Sequence, residues 1–284
     1  MRTWSFGATV GLAAVMVFSA GAAAQQTVPA PAAQQGRQGV DQRPPSVYQK
    51  LGSDTGGPAP KRELTGVWAG PFGERVGPPM VISPLTPLGE SLRKLNVPDT
   101  GSVTVADTND PWKRYCDPLG FPRAILEEQR AYAFAPMADR VVELLQYEHE
   151  WREIYTDGRE LPKNVGAKGG PDPRYYGYSV GHWTDDNTFV VETTGLDDRT
   201  WIGNGYPHSM DMHVTETYKR ADHNDLQLSV VMDDPKIFTK SFTSTTAYKW
   251  IPAQTWEEQL CIPSDIAQYQ QIISSPAAGK PAQK

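Results

Sequence analysis

Apolar and polar residues alternate through most of the chain between Leu64 and Cys261, and this period of two predicts β-strands. Short joints rich in Asp, Asn and Gly, such as Asp157-Gly158, separate the alternating runs. The predicted strands cover residues 64–68, 131–136, 140–147, 151–156, 178–184, 188–194, 213–220, 226–233, 238–250 and 256–261.

Strands joined by short turns favour an all-β fold with a single antiparallel barrel of about 8–10 strands. One or two short helices accompany them. Thr86-Pro87 has the form of an N-cap followed by proline at the first helical position, and residues 264–273 form a second candidate. A barrel of this size has room for one small ligand, and a β-sandwich is the structural alternative.

One predicted strand carries polar groups on a face that is otherwise apolar. Period-two geometry places Val141, Glu143, Leu145, Tyr147 and His149 on the same side. This mixture is typical of the wall of a polar pocket. In the alternative interpretation, the far end of the strand emerges into solvent at Tyr147.

The two ends of the chain differ in composition from its middle. Residues 1–24 have a positively charged start, a short apolar run and an A-x-A cleavage site, which predict a signal peptide. Residues 25–61 form a Pro/Gln-rich tether and 274–284 a tail, both predicted to be disordered, so the barrel domain covers 62–273. We therefore expect a periplasmic or secreted protein with no membrane insertion after signal cleavage.

The chain has two cysteines, Cys116 and Cys261. Export to an oxidising compartment favours a disulfide between them, and two buried free thiols are the alternative.

The chain contains 27 basic and 33 acidic residues, and its formal net charge is −6. No Lys/Arg run interrupts this acidic balance, so nucleic acid and anionic membrane surfaces are poor candidate partners. Eight Trp and twelve Tyr suit a core or pocket built from large amphipathic rings, and a small molecule is the expected partner. The oligomeric state is left open.

All five histidines lie in the stretch between Tyr147 and Asp234. Histidine is the usual proton carrier near neutral pH. The candidate catalytic residues are His149, Tyr147, His182 and Asp233. The candidate substrate-binding residues are Arg152, Trp151, Trp183, Trp201, His208 and Tyr178.

Each of these candidates also has a structural interpretation. Arg152 beside a turn commonly holds a barrel rim through ion pairs, and a mid-strand His182 is commonly a satisfied core or surface residue. A metal site at His208, Asp211 and His213 is a less favoured alternative, because their spacing matches no recognised metal signature. Since His213 and Glu216 fall on opposite faces of a strand, we do not expect them to act together. No cofactor is expected, because no dinucleotide fingerprint or phosphate loop is present.

The order of motifs resembles a family of exported bacterial proteins that is largely uncharacterised. The phrases that carry the resemblance are Glu63–Trp68, Leu85–Glu90, Cys116-Asp117-Pro118, Phe121-Pro122-Arg123, Tyr147–Arg159, Tyr178–Trp183, Thr188–Trp201, Pro207-His208-Ser209, His213–Glu216, Asp233–Lys236 and Cys261. The resemblance covers roughly Leu64 to Cys261 and implies a lipocalin-like (calycin-type) barrel. It implies no particular reaction.

Two functions agree with these patterns. The first is a cofactor-independent acid–base enzyme (a lyase, isomerase, hydratase or hydrolase) that acts on a ring-containing or partly apolar small molecule. The second is a non-catalytic ligand-binding or carrier protein of lipocalin type. They differ in whether Tyr147, His149, His182 and His208 converge on one cavity.

Overall fold

Nine strands pair edge to edge into a closed barrel. The computed structural model describes residues 56–69, 81–99, 104–126, 131–251, 258 and 260–281. In chain order the strands are β1 (Gly66–Ala69), β2 (Ala131–Pro136), β3 (Arg140–Leu145), β4 (Trp151–Tyr155), β5 (Tyr178–Trp183), β6 (Thr188–Thr194), β7 (Trp201–Gly203), β8 (Tyr206–Pro207), β9 (His213–Arg220), β10 (Asp225–Asp233) and β11 (Phe242–Trp250). The barrel has the order β1-β11-β10-β9-β6-β5-β4-β3-β2, and β1 also pairs with β2. The predicted all-β barrel of 8–10 strands is confirmed.

The barrel is mixed, which corrects the prediction that it is antiparallel throughout. β4 and β5 run parallel, and only Ile154↔Ser179 and Tyr155↔Val180 pair across this seam. Parallel neighbours require a crossover that returns the chain to the end where it started. Residues 156–177 provide it, so Asp157-Gly158 begins a long connection and does not close a hairpin.

The long antiparallel strands bury alternate residues, as their sequence pattern predicts. In β6, β9 and β10 every second side chain faces the core. Glu216 is buried and His213 is half-buried on the opposite face of β9, which confirms that they point apart. The core contains Trp68, Tyr218 and Tyr248, all fully buried, so large rings fill much of the barrel interior.

Short helices are more numerous than predicted. They are α1 (Pro87–Arg93), α2 (Pro111–Tyr115), α3 (Arg123–Leu126), α4 (Pro263–Tyr269), a π-helical segment (Gln270–Ser274) and α5 (Ser275–Ala277). The predicted cap of α1 is confirmed, because the Thr86 side chain accepts a hydrogen bond from the amide N–H of Gly89 at 3.1 Å. At the other end of the chain, Ser274 and Ser275 are buried and helical structure continues through Ala277, into the predicted tail.

Other boundaries also differ from the predictions. β11 begins at Phe242 because Ile237 and Phe238 form a turn back to the carbonyl of Asp234. β7 and β8 form a small separate sheet that the sequence pattern did not predict. Within the part of 256–261 that the structure describes (258, 260 and 261) there is no strand. The predicted signal peptide and residues 25–55 of the predicted tether lie outside the described residues.

The predicted disulfide is confirmed: Cys116 and Cys261 are bonded, with 5.4 Å between their Cα atoms. It joins the end of α2 to the segment that precedes α4, across 145 residues of sequence. A disulfide of this kind is typical of proteins from oxidising compartments. In the described part of the chain, no helix is both long and apolar enough to cross a membrane.

Candidate ligand-binding cleft

The centre of the barrel holds a buried network of Glu143, Arg152, Glu216 and Tyr218. Glu143 and Arg152 face each other across β3 and β4, and Arg152 Nε donates to Glu143 Oε2 at 2.5 Å. Arg152 Nη2 donates to Glu216 Oε1 at 2.6 Å, reaching across the interior to β9. The Tyr218 hydroxyl donates to the same Glu216 oxygen at 2.5 Å and lies 3.2 Å from Glu143 Oε1.

One guanidinium in this network faces two carboxyl groups. Burial raises the pKa of Glu143, so its neutral form persists to a higher pH than in water. The pKa of Arg152 is raised despite its burial, because Glu143 and Glu216 favour its charged form. Phe121 covers the guanidinium, with its ring centroid 4.0 Å from Arg152 Cζ. Arg152 thus links strands inside the barrel, which makes it a structural residue.

The barrel interior is packed. At the end covered by α3, a cavity lined by Tyr132, Leu145 and Tyr248 measures only about 10 Å³, which is room for about one water. The interior cavity that the described residues form at this end is therefore too small for the predicted ligand.

A much larger cleft of about 480 Å³ lies over the parallel seam between β4 and β5. Side chains from both strands and from the crossover line it, and five of them are aromatic: Trp151, Tyr155, Tyr175, Tyr176 and Tyr178. Leu161, Pro162 and Val180 add aliphatic surface. This volume is typical of sites for small organic molecules, and rings with polar edges are typical of their walls.

A second space of about 490 Å³ continues along the same seam. It shares Tyr155, Arg159, Glu160, Leu161 and Val180 with the first and adds His182. The two spaces therefore form one groove, which we call the seam cleft.

The charged groups of the seam cleft differ in how far they are already paired. Arg159 is held by Asp157, with Nη2 to Oδ2 at 2.6 Å. Glu150 is half-buried with no ion pair among the described residues, and burial raises its pKa. Burial also raises the pKa of the neighbouring Tyr176 well above its usual range, so this phenol is protonated and can donate a hydrogen bond.

Two of the predicted catalytic residues, Tyr147 and His149, lie on a 3-10 turn (Tyr147–His149) and not on a strand. β3 ends at Leu145, and Glu148 and His149 have φ angles of 58° and 53°, so period-two alternation stops before them. Tyr147 packs edge-on against Trp112 with 5.6 Å between ring centroids, whereas His149 is exposed.

The remaining predicted proton carriers lie elsewhere. His182 is exposed on the outer face of β5, where it lines the far end of the seam cleft. Asp233 is exposed at the end of β10. His208 is buried, with Nε2 2.8 Å from Thr200 Oγ1 and Nδ1 3.2 Å from the Ser209 carbonyl O, and burial lowers its pKa. The structure therefore does not bring Tyr147, His149, His182 and His208 together in one described cavity.

The predicted substrate-binding residues divide in the same way. Trp151, Tyr178 and Arg152 line the seam cleft. Trp183 packs on Phe189 with 5.2 Å between ring centroids, and Trp201 is buried in β7 near the Arg123 guanidinium. Three members of the predicted set thus meet at one site, where the exposed Trp151 and the half-buried Tyr178 contribute ring surface.

The alternative metal site gains no support from the described residues, which include no group of three or more potential ligands placed to hold an ion. Asp211 instead pairs with Lys236 at 2.6 Å.

Sequence reasoning missed many residues of the cleft, among them Glu150, Arg174, Tyr175 and Tyr176. The available signal was the length of the segment between β4 and β5, which is too long for a hairpin loop and contains adjacent tyrosines at 175 and 176.

Comparison of the chain with known protein families, with curated proteins and with solved structures found no match. The resemblance to exported proteins with a lipocalin-like barrel therefore stays a prediction.

Proposed function

We propose that this protein is an exported, non-catalytic binding protein that holds a ring-containing, partly apolar small molecule in the seam cleft. The observation that carries the proposal is the cleft of about 480 Å³ with five aromatic side chains in its walls. The predicted signal peptide and the disulfide support export to the periplasm or beyond.

The dispersal of the proton carriers favours binding over catalysis. An acid–base enzyme needs its groups within hydrogen-bond reach of one substrate. Tyr147, His149, His182 and His208 occupy different parts of the described structure. A binding protein requires only contact area and a few polar groups to fix orientation, and the seam cleft offers both.

A neutral aromatic dye tests this proposal. We expect N-phenyl-1-naphthylamine to bind the full mature chain saturably at one site, with a rise in its fluorescence. Val180 is half-buried on the outer face of β5 and lines both parts of the cleft. The substitution Val180→Trp should fill the cleft and weaken dye binding at least about tenfold, since it removes the space for a ring.

The matched control is Val190→Trp. Val190 lies beside His182 on the outer face of β6, and it is not among the side chains that line the cleft. This variant should bind the dye like the parent protein. Absence of saturable binding, or equal binding by the Val180→Trp variant, would refute the proposal.

A further inference from the structure

We propose that Arg174 is the anion-binding residue of the seam cleft, and that the preferred ligands are ring-containing organic anions. This inference rests on the proposed binding function and specifies its ligand class. It follows from how Arg174 is held, from what its guanidinium contacts, and from the state of the other arginines in the cleft.

The backbone at Arg174 is fixed on both sides. Its N–H donates to the Gly195 carbonyl O at 3.0 Å, and its carbonyl accepts from the Asp197 N–H at 3.0 Å and the Gly177 N–H at 3.0 Å. These bonds tie the end of the crossover to the segment that follows β6. The side chain therefore starts from a defined position at the cleft wall.

The guanidinium of Arg174 lies over the ring of Tyr178, with Cζ 4.3 Å from the ring centroid. Tyr178 is itself anchored, because its hydroxyl donates to the Asp172 carbonyl O at 2.7 Å. The ring face attracts the cation as a whole, and the N–H groups of a guanidinium match the two oxygens of a carboxylate or sulfonate. The ring contact thus holds the cation at the cleft wall and leaves N–H groups available to a ligand.

Three arginines line the cleft, and two are already paired with carboxylates. Arg152 is bound by Glu143 and Glu216 inside the barrel, and Arg159 is bound by Asp157. Among the described residues, Arg174 has no carboxylate within 4.0 Å.

An anion gains most from a cation that is not already neutralised, and the aromatic walls supply contact for its ring. In a chain with a net charge of −6, Arg174 is therefore the place in the cleft where an anionic group is favoured. The unpaired carboxyl of Glu150 in the same cleft disfavours a second anionic group, so we expect ligands with a single one.

Two dyes that differ in one group test the inference on the full mature chain. 8-Anilinonaphthalene-1-sulfonate carries a sulfonate, and N-phenyl-1-naphthylamine has the same ring system without it. We expect Arg174→Gln to weaken binding of the sulfonated dye about tenfold or more and to change binding of the neutral dye less than about twofold. Arg174→Lys, which keeps the charge without the planar fork, should give an intermediate loss.

The charge-matched control is Arg62→Gln. Arg62 is an exposed arginine paired with Asp186, and it is not among the residues that line the cleft. Its removal changes the net charge by the same amount and should leave both dyes within about twofold of the parent protein.

The possible failures are distinguishable. If Arg174→Gln and Arg62→Gln weaken binding of the sulfonated dye equally, general electrostatics explains the effect and the inference is overturned. Equal losses for both dyes in Arg174→Gln would assign the arginine a structural role instead. If Val180→Trp changes the affinity for neither dye, the proposed function fails and the inference fails with it. Thermal unfolding of each variant checks that the fold is kept.

Discussion

Arg152 carries one positive charge into a barrel interior that also holds two carboxyl groups. Its side chain is 2 % exposed, and the side chains of both Glu143 and Glu216 are fully buried. Removing one partner of a buried ion pair is costly because it leaves charge without compensation in a poorly polarisable medium. These three residues thus depend on one another for their stability in the fold.

We predict that Arg152→Met lowers the free energy of unfolding by about 3–5 kcal/mol, because two facing carboxyl groups lose their common cation. Urea denaturation followed by tryptophan fluorescence measures the change. The matched control is the triple variant Glu143→Gln/Arg152→Met/Glu216→Gln, which removes all three charges and should recover much of the loss. If Arg152→Met lowers the free energy of unfolding by less than about 1 kcal/mol, the structural role of these three charges is contradicted.

His208 should make stability depend on mildly acidic pH. Burial lowers its pKa in the folded protein, so protonation favours the unfolded chain, whose histidine has a pKa near 6.5. The contribution of neutral His208 is therefore fully present above about pH 6.5 and is lost as the pH falls below it. We predict that His208→Gln flattens the decline in melting temperature between pH 7.5 and pH 5.

The control for that measurement is His182→Gln, which removes an exposed histidine from β5 and leaves His208 in place. An equally steep decline in the His208→Gln variant and the parent protein would show that other groups cause it.

Strand parity predicted side-chain direction wherever the strand continued. It placed Glu216 and His213 on opposite faces of β9, as observed. It failed for Tyr147 and His149 because two consecutive residues, Glu148 and His149, have positive φ and turn the chain. Neither is glycine, so the sequence contains no local signal for this turn.

At the scale of elements, boundaries followed from local chemistry. β2, β6 and β9 have the predicted limits, and Thr86-Pro87 starts α1 as expected, because alternation and capping depend on neighbouring residues alone. Whether two neighbouring strands run parallel or antiparallel depends on the length of the segment that connects them. The segment 156–177 contains more than a dozen residues, enough for a crossover, and its length was the signal that β4 and β5 run parallel.

The seam between β4 and β5 also explains why the site was predicted only in part. Trp151 and Tyr178 belong to strands whose positions the pattern gave, whereas Arg174, Tyr175 and Tyr176 come from the crossover. No periodicity governs such a segment, so its approach to the barrel wall follows from tertiary contacts such as Arg174 N–H to Gly195 O. The pattern of apolar and polar residues therefore cannot predict most of a cleft whose walls come from a crossover.

At the scale of the whole molecule, the Cys116–Cys261 disulfide constrains the unfolded chain more than any local contact. In the entropic model, closing a loop across 145 residues reduces the entropy of the unfolded chain and raises the free energy of unfolding by up to about 5 kcal/mol. We predict that the double variant Cys116→Ser/Cys261→Ser loses stability of this order and unfolds at a lower urea concentration.

Reduction of the parent protein provides an independent check on that estimate. Its unfolding midpoint in a strong reductant should approach that of the double serine variant, which itself should not respond to reductant. A difference below about 1 kcal/mol between the oxidised protein and the serine variant would show that the bond adds little to folding.

The same bond has a consequence for the integrity of the chain under proteolysis. Most of the barrel, including the exposed crossover that covers the seam cleft, lies between the two cysteines. A single cut in that crossover leaves two fragments that remain one covalent molecule, and each fragment keeps its strands paired with those of the other. A protease that cuts the exposed crossover can therefore nick the protein at the seam cleft without dividing it.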